Sequence, residues 1–413
     1  MNSTQFTKQE QRVVIALSCI FSLRMLGLFM ILPIFATYAH QFSNSQKQLV
    51  GIAIGAYGLT QALFQIPFGI LSDRLGRRKI IFLGLSLLGL GSLFATFSTS
   101  IYGIIFGRIL QGSGAIGSVV MATLADLTRE KVRARSMACL GTTIALSFLV
   151  ALVVGPLFFQ LVGFRGIFIL TAILSLVGIA ILMTYIPKLD SQCHHIEARI
   201  NYQGFNQIIS TKLLNLYLGV FTLHTILAAL FLAVPVMLQE AGYPDKTLWR
   251  LYLPLLLGTF TLAILAIFWA EKRAKNILLQ ICSITLLFPS LGILLYAKYQ
   301  LIWILIGLSA FFVAFIILEA SLPAGISKTT NQSTRGLALG MYSSAQFLGI
   351  FFGGLIGGLL DNHFAITGIL TFCMFMNLSW LIISVMTNSI GRDASAPHQN
   401  VFNSKVSLNH RIK

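Results

Sequence analysis

The sequence predicts an all-α membrane protein whose twelve transmembrane helices form two six-helix halves. Three observations carry that expectation. Hydrophobic residues make up 56% of the 413 and charged residues only 10%, with a mean hydropathy of +0.84; a soluble chain carries about a quarter charged residues. The apolar residues gather in runs of roughly twenty, the length that crosses ~30 Å of hydrocarbon. These runs fall into two sets of six on either side of a polar stretch.

The first set is read at about 13–36, 49–71, 80–98, 101–125, 136–161 and 166–186. No signal-peptide cleavage pattern precedes the first run, so the N-terminus is expected to be retained. The second run ends in Asp73-Arg74-Leu75-Gly76-Arg77-Arg78-Lys79, and so short a crossing back into the bilayer demands a tight polar turn. Asp126 closes the fourth run, and Arg129 to Arg135 precede the fifth. Pro187 cannot continue the sixth helix. The second set is read at about 213–238, 248–269, 276–296, 301–323, 336–360 and 364–388, with Glu271-Lys272-Arg273-Ala274-Lys275 after the eighth run standing where Asp73 to Arg77 stand after the second. Glycines from Gly349 to Gly358 put small residues on the eleventh helix. They suit close packing, a sliding surface between the halves, or both. The expected organisation is therefore a half over 1–186, a cytoplasmic linker over 187–211, a second half over 212–388 and a disordered tail over 389–413.

A net charge of +17 invites a nucleic-acid reading until the bases are located. Of the 29 Lys and Arg, 22 fall on one side of this topology, five on the other (Lys47, Arg165, Lys246, Arg250, Lys298) and two within spans. The positive-inside rule places both termini in the cytoplasm. The expected partners of this basicity are lipid headgroups, with no nucleic acid. Cys19, Cys139, Cys193, Cys282 and Cys373 form no paired spacing, and His194-His195 has no carboxylate or thiolate cluster beyond Cys193, so neither a disulfide frame nor a metal site is expected. With no catalytic triad, the chain is read as no enzyme. No cofactor is expected either: a phosphate-binding Gly-x-x-x-x-Gly-Lys-[Ser/Thr] is absent, which leaves an ion gradient as the energy source.

Ionisable groups inside a bilayer cost ~2.5–3.5 kcal/mol each on insertion scales, so each requires a reason. Four stand in spans: Arg24 in the first, Arg108 in the fourth, His224 in the seventh and Glu319 in the tenth. Charges that merely tie helices together would have no cause to choose one span of every three. The regular choice points to a shared polar cavity.

The segment Gly69-Ile70-Leu71-Ser72-Asp73-Arg74-Leu75-Gly76-Arg77-Arg78-Lys79 resembles the loop 2–3 motif of the major facilitator superfamily. Arg108-Ile109-Leu110-Gln111-Gly112-Ser113-Gly114 is similar to a second motif of that family, associated with coupling in proton-driven members. In the fifth span Gly155-Pro156 survives, but Ala151, Phe159 and Gln160 stand where drug antiporters usually have glycines. The whole membrane region resembles the drug:H⁺ antiporter branch. Within it, Arg24 to Phe29, Asp126 to Glu130 and Leu318 to Pro323 look like the YajR-type bacterial inner-membrane transporters.

The resemblance implies alternating access, with spans one, four, seven and ten around a cavity, by a monomer in a bacterial inner membrane whose partners are a small-molecule substrate and protons. Proton-coupled efflux of amphipathic compounds follows as the leading function. A transporter of a specific polar metabolite or siderophore, with Arg24 and Arg108 on an anionic group, is the alternative; a non-transporting receptor or scaffold would need no cavity charges. Gly69, Asp73, Gly76, Arg77, Arg78 and Asp126 would form the cytoplasmic gate. In it Arg77 pairs with Asp126, and Asp73 approaches the start of the eleventh helix near Gly336 and Gly340, where a helix dipole favours a carboxylate. Glu319 is expected to carry the coupling proton, with His224 as the fallback. Burial favours a neutral carboxyl there, and nearby arginines would favour the ionised one.

Overall fold

A computed structural model describes residues 5–187, 209–331 and 334–393. Among the described residues, eleven helices are long and apolar enough to cross a membrane. The last, Arg335–Asp393, turns back at Ala365 (φ 52°, ψ −156°) and so supplies two spans, making twelve. The spans run considerably past the apolar cores read from the sequence, because caps and turn residues decide where a helix stops, not hydrocarbon thickness. Thr7 caps the first span by accepting from Glu10 N, while the Glu10 carboxylate accepts from Thr7 N. Ser100 and Ser210 cap the fourth and seventh spans in the same sense.

Two spans are broken. The first comprises Lys8–Phe29 and Leu32–Tyr38, restarting at Pro33 near its N-terminus, where a missing N–H costs nothing. The fourth comprises Ile101–Ser113 and Gly117–Asp126, interrupted at Gly114 to Ile116. The remaining spans of the N-terminal half are Lys47–Leu75, Arg77–Phe97, Glu130–Val162 and Phe164–Tyr185. Only Gly76 separates the second span from the third, and its φ of +97° is one that a side chain would strain. The seventh to tenth spans are Thr211–Glu240, Leu248–Lys272, Asn276–Ala297 and Leu301–Thr329.

Outward faces carry bare hydrocarbon, as Leu176, Leu257 and Leu262 illustrate, the pattern required where the surrounding solvent is lipid. Nearly all of the seventh span is buried, against the eleventh and against the end of the first. The two halves lock together at the face opposite the basic loops. There Gly51, Gly55 and Gly58 of the second span face Gly354, Phe351 and Phe347 of the eleventh; a Cβ on Gly354 would sit 2.6 Å from the Gly51 carbonyl. Lys47 and Asp361 form an ion pair of 2.9 Å across the same seam, and Trp249 Nε1 donates to Gln160 Oε1 at 2.8 Å between the eighth and fifth spans.

The expected tail needs one correction: helix continues to Asp393, five residues into the segment read as disordered. The rest of that tail lies outside the described residues. So does most of the linker, including Cys193 and His194-His195.

Candidate functional site

The four intramembrane ionisable residues form two clusters, one in each half. In the C-terminal half His224, Glu319 and Gln346 meet. His224 Nε2 lies 3.7 Å from Glu319 Oε2. The Gln346 amide nitrogen stands 2.8 Å from His224 Nε2 and 3.3 Å from Glu319 Oε1. His224 Nδ1 is 3.1 Å from the Val220 carbonyl, which can only accept, so Nδ1 carries the hydrogen. Nε2 is then left with a lone pair for the Gln346 N–H, and the ring is neutral. A single –NH₂ group thus serves both titratable residues at once. Glu319 Oε2 is buried and has no hydrogen-bond partner among the described residues.

Around this cluster the walls are apolar. A cleft containing His224 and Glu319 is lined by Phe29, Ile144, Phe148, Phe315 and Ile316, drawn from the first, fifth and tenth spans. The His224 ring meets Phe315 edge-on, with centroids 5.8 Å apart. The cleft can therefore hold an apolar body while presenting one carboxyl and one imidazole to it.

In the N-terminal half Arg24 and Arg108 share Tyr57, their guanidinium carbons 5.8 and 4.8 Å from its ring centroid. Arg24 donates to Gln61, which donates to Gln65 at 3.0 Å. Arg108 donates to Gln111 Oε1 at 3.0 Å, and Gln111 passes a hydrogen bond of 2.8 Å to Ser92 in the third span. This corrects one expectation: no arginine lies within ion-pairing distance of Glu319 among the described residues. The polar groups that face Glu319 are His224 and Gln346.

At the basic face Arg77 bonds Asp73 and Ser72 on the second span and reaches Asp126 on the fourth at 3.0 Å. Arg78 donates to the Met183 carbonyl at the end of the sixth span, at 2.7 Å. Gly69 brings the second span to Ser118, whose hydroxyl donates to the Gln65 carbonyl. Asp73 is turned to Arg77 within its own half, and nothing among the described residues comes within 4 Å of where a Cβ on Gly336 or Gly340 would sit. A further pair was not anticipated: Arg129, before the fifth span, grips both oxygens of Glu10 at 2.8 and 2.9 Å.

Reading the sequence for charge missed Gln346, Tyr57, Gln61 and Gln65. The available signal was polarity rather than charge, since each amide stands in a long apolar run.

Residues 17–354 match the Major Facilitator Superfamily. The chain is 39% identical over 385 residues to the inner membrane transport protein YajR of Escherichia coli (strain K12), which covers 93% of this chain and 85% of that protein. It is 26% identical over 236 residues to the tetracycline resistance protein, class B, of Escherichia coli, covering 55% of this chain and 54% of that protein. Among solved structures, a D-xylose–proton symporter superposes with a TM-score of 0.72 at 17% identity, over 90% of this chain and 97% of that one, a likeness of fold. The family match over most of the chain, together with two six-span halves closing on intramembrane polar clusters, makes this chain a member of the Major Facilitator Superfamily and a transport protein, not an enzyme.

Proposed function

We propose that this chain is a proton-coupled exporter of small amphipathic compounds, in which Glu319 carries the proton and His224 and Gln346 control it. The observation that supports this most is the bridged pair: two titratable side chains from the tenth and seventh spans, 3.7 Å apart, share one amide on the eleventh. A carboxyl in an apolar cleft beside an imidazole can change its charge when its surroundings change. Gln346 sits on the span that packs against the second span at the seam, so movement of that span would carry its amide away from the pair. Binding, gating and proton release would then be one event.

The apolar lining of the cleft suits an amphipathic substrate, and the export direction is suggested by the tetracycline resistance relative. On the charge bias of the loops, the basic face is cytoplasmic, as are both termini. Asp73, Arg77, Arg78 and Asp126, with Gly69 and Gly76, then form the cytoplasmic gate, and Asp73 exchanges Arg77 for the start of the eleventh helix near Gly336 and Gly340 when that side shuts. The protein works as a monomer in the inner membrane, driven by the proton gradient without a bound cofactor. Proteoliposomes with an imposed pH gradient, screened over amphipathic compounds, test the whole reading. Uphill accumulation that collapses with a protonophore is the expected result; transport indifferent to the gradient would refute it.

A further inference from the structure

The fifth span ends near two side chains that the proton cluster does not use, Phe159 and Gln160, which stand where drug antiporters usually have glycines. Each finds a partner. The Phe159 ring meets Tyr38 of the first span edge-on, with centroids 5.6 Å apart, and that contact stays within the N-terminal half. Gln160 Oε1 instead accepts from Trp249 Nε1 of the eighth span at 2.8 Å, and that contact crosses between the halves. Gln160 lies in the last turn of Glu130–Val162 and Trp249 in the first of Leu248–Lys272, so the bond sits at the face opposite the basic loops.

The two flanks of the seam are built differently. Between the second and eleventh spans, backbone presses on backbone at Gly51 and Gly354, and the ion pair of Lys47 with Asp361 lies beside that contact. Among the described residues no glycine of the fifth or eighth span makes such a contact with the other half. That flank is held by side chains, and the short turn Asp245–Thr247 also packs on the fifth span. Phe148, which lines the cleft around Glu319, lies twelve residues before Gln160, about 18 Å along the helix. The bond therefore stands on the outer side of that cleft.

We propose that the Gln160–Trp249 hydrogen bond is a latch on the outer mouth of the transport path, and that Gln160 and Trp249 are positioning residues whose bond sets how often the fifth and eighth spans part there. Gln160 is exposed and Trp249 half-buried, so water takes the place of either partner when the bond breaks. Opening is therefore cheap and reversible. The latch requires only that the chain transports. It holds for either direction of transport and whatever ion drives it.

Spin labels at the exposed positions Leu161 and Lys246, in the purified full-length chain with its native cysteines replaced by serine, test the latch. Pulsed dipolar spectroscopy in nanodiscs then reads the separation of the two spans. The parent should show mainly the short distance. Gln160→Leu removes the acceptor, and Trp249→Phe removes the donor while keeping a ring. Each should raise the ratio of long to short distance by about three- to tenfold, the worth of one neutral hydrogen bond. The double variant should open no further than either single one, since both remove the same bond. Gln160→Glu keeps an acceptor oxygen and should restore the parent distribution. Leu and Glu both fill the space of Gln160, so their contrast isolates the bond from the packing. Should Trp249→Phe fail to yield monodisperse protein, the two Gln160 variants decide alone. An unchanged distribution in well-folded Gln160→Leu, a Gln160→Glu variant as open as Gln160→Leu, additive opening in the double variant, or a parent that is mainly open would each overturn the latch. No substrate and no pH gradient enter the measurement, so its outcome is separate from the proton reading.

Discussion

Glu319 Oε2 and His224 Nε2 face each other at 3.7 Å across the tenth and seventh spans, and neither has a charged residue of the other half as its partner among the described residues. The distance is too long for a firm hydrogen bond and short enough for the two groups to govern each other's charge. Gln346 bonds His224 Nε2 and Glu319 Oε1, and leaves Glu319 Oε2 without a hydrogen-bond partner among the described residues. The cluster is therefore built by three spans of one half.

Glu319→Gln should abolish gradient-driven accumulation while preserving substrate exchange in the absence of a gradient, because the amide keeps the shape and loses the titratable group. Uphill transport with its ordinary pH dependence in this variant would place the proton elsewhere.

Gln346→Leu strips both Glu319 and His224 of their shared donor. A buried hydrogen bond lost this way is worth ~1–3 kcal/mol, and 1.36 kcal/mol is one pH unit, so the midpoint of the pH–transport profile should move by about one unit or more. The profile of the purified variant in proteoliposomes checks this. A profile superimposable on that of the parent would show that Gln346 only fills space.

At the basic face, Arg77→Asp and Asp126→Arg should each damage transport, and the double swap should recover part of it. Neighbours joined at 3.0 Å are expected to couple by ~0.5–3 kcal/mol. Purely additive losses would leave the contact without functional weight.

Asp73→Asn should cripple turnover with little effect on insertion or yield, since Arg77 keeps its bond to Asp126 and the turn keeps Gly76. Wild-type turnover at wild-type expression would remove Asp73 from the gate.

Gly354→Val places a branched side chain where even a Cβ would lie 2.6 Å from the Gly51 carbonyl. Backbone cannot yield that space, so the seam should be forced apart and the population moved away from the present state. Spin labels on the second and eleventh spans near Lys47 and Asp361 should report a longer separation. An unchanged distance distribution would mean the seam tolerates the side chain.

Much was legible in the sequence because a bilayer leaves few choices. Every backbone group must be satisfied within the spanning segment, so apolar run length alone yields the spans, and the four intramembrane ionisable residues stand out by cost. Local chemistry at Gly76, with its positive φ between Leu75 and Arg77, was likewise carried by a few contiguous residues. The pair of Arg77 and Asp126 was accessible too, since both stand at span ends on the basic face.

Which charges face which could not be read that way. Arg24 and Glu319 are equally conspicuous in one dimension, yet Arg24 turns to Gln61 and Tyr57 in its own half, and Glu319 turns to His224 and Gln346 in the other. Helix rotation and the register of the second span on the eleventh decide this, and both depend on residues some three hundred apart in the chain, such as Gly51 against Gly354. The neutral amides escaped notice for a related reason: a glutamine costs far less to bury than a charge, so only its tertiary neighbours reveal that Gln346 binds two titratable groups. The sequence by itself determined the spans, their grouping into halves and the residues that had to be explained. Tertiary packing alone decided that these residues form two clusters rather than one.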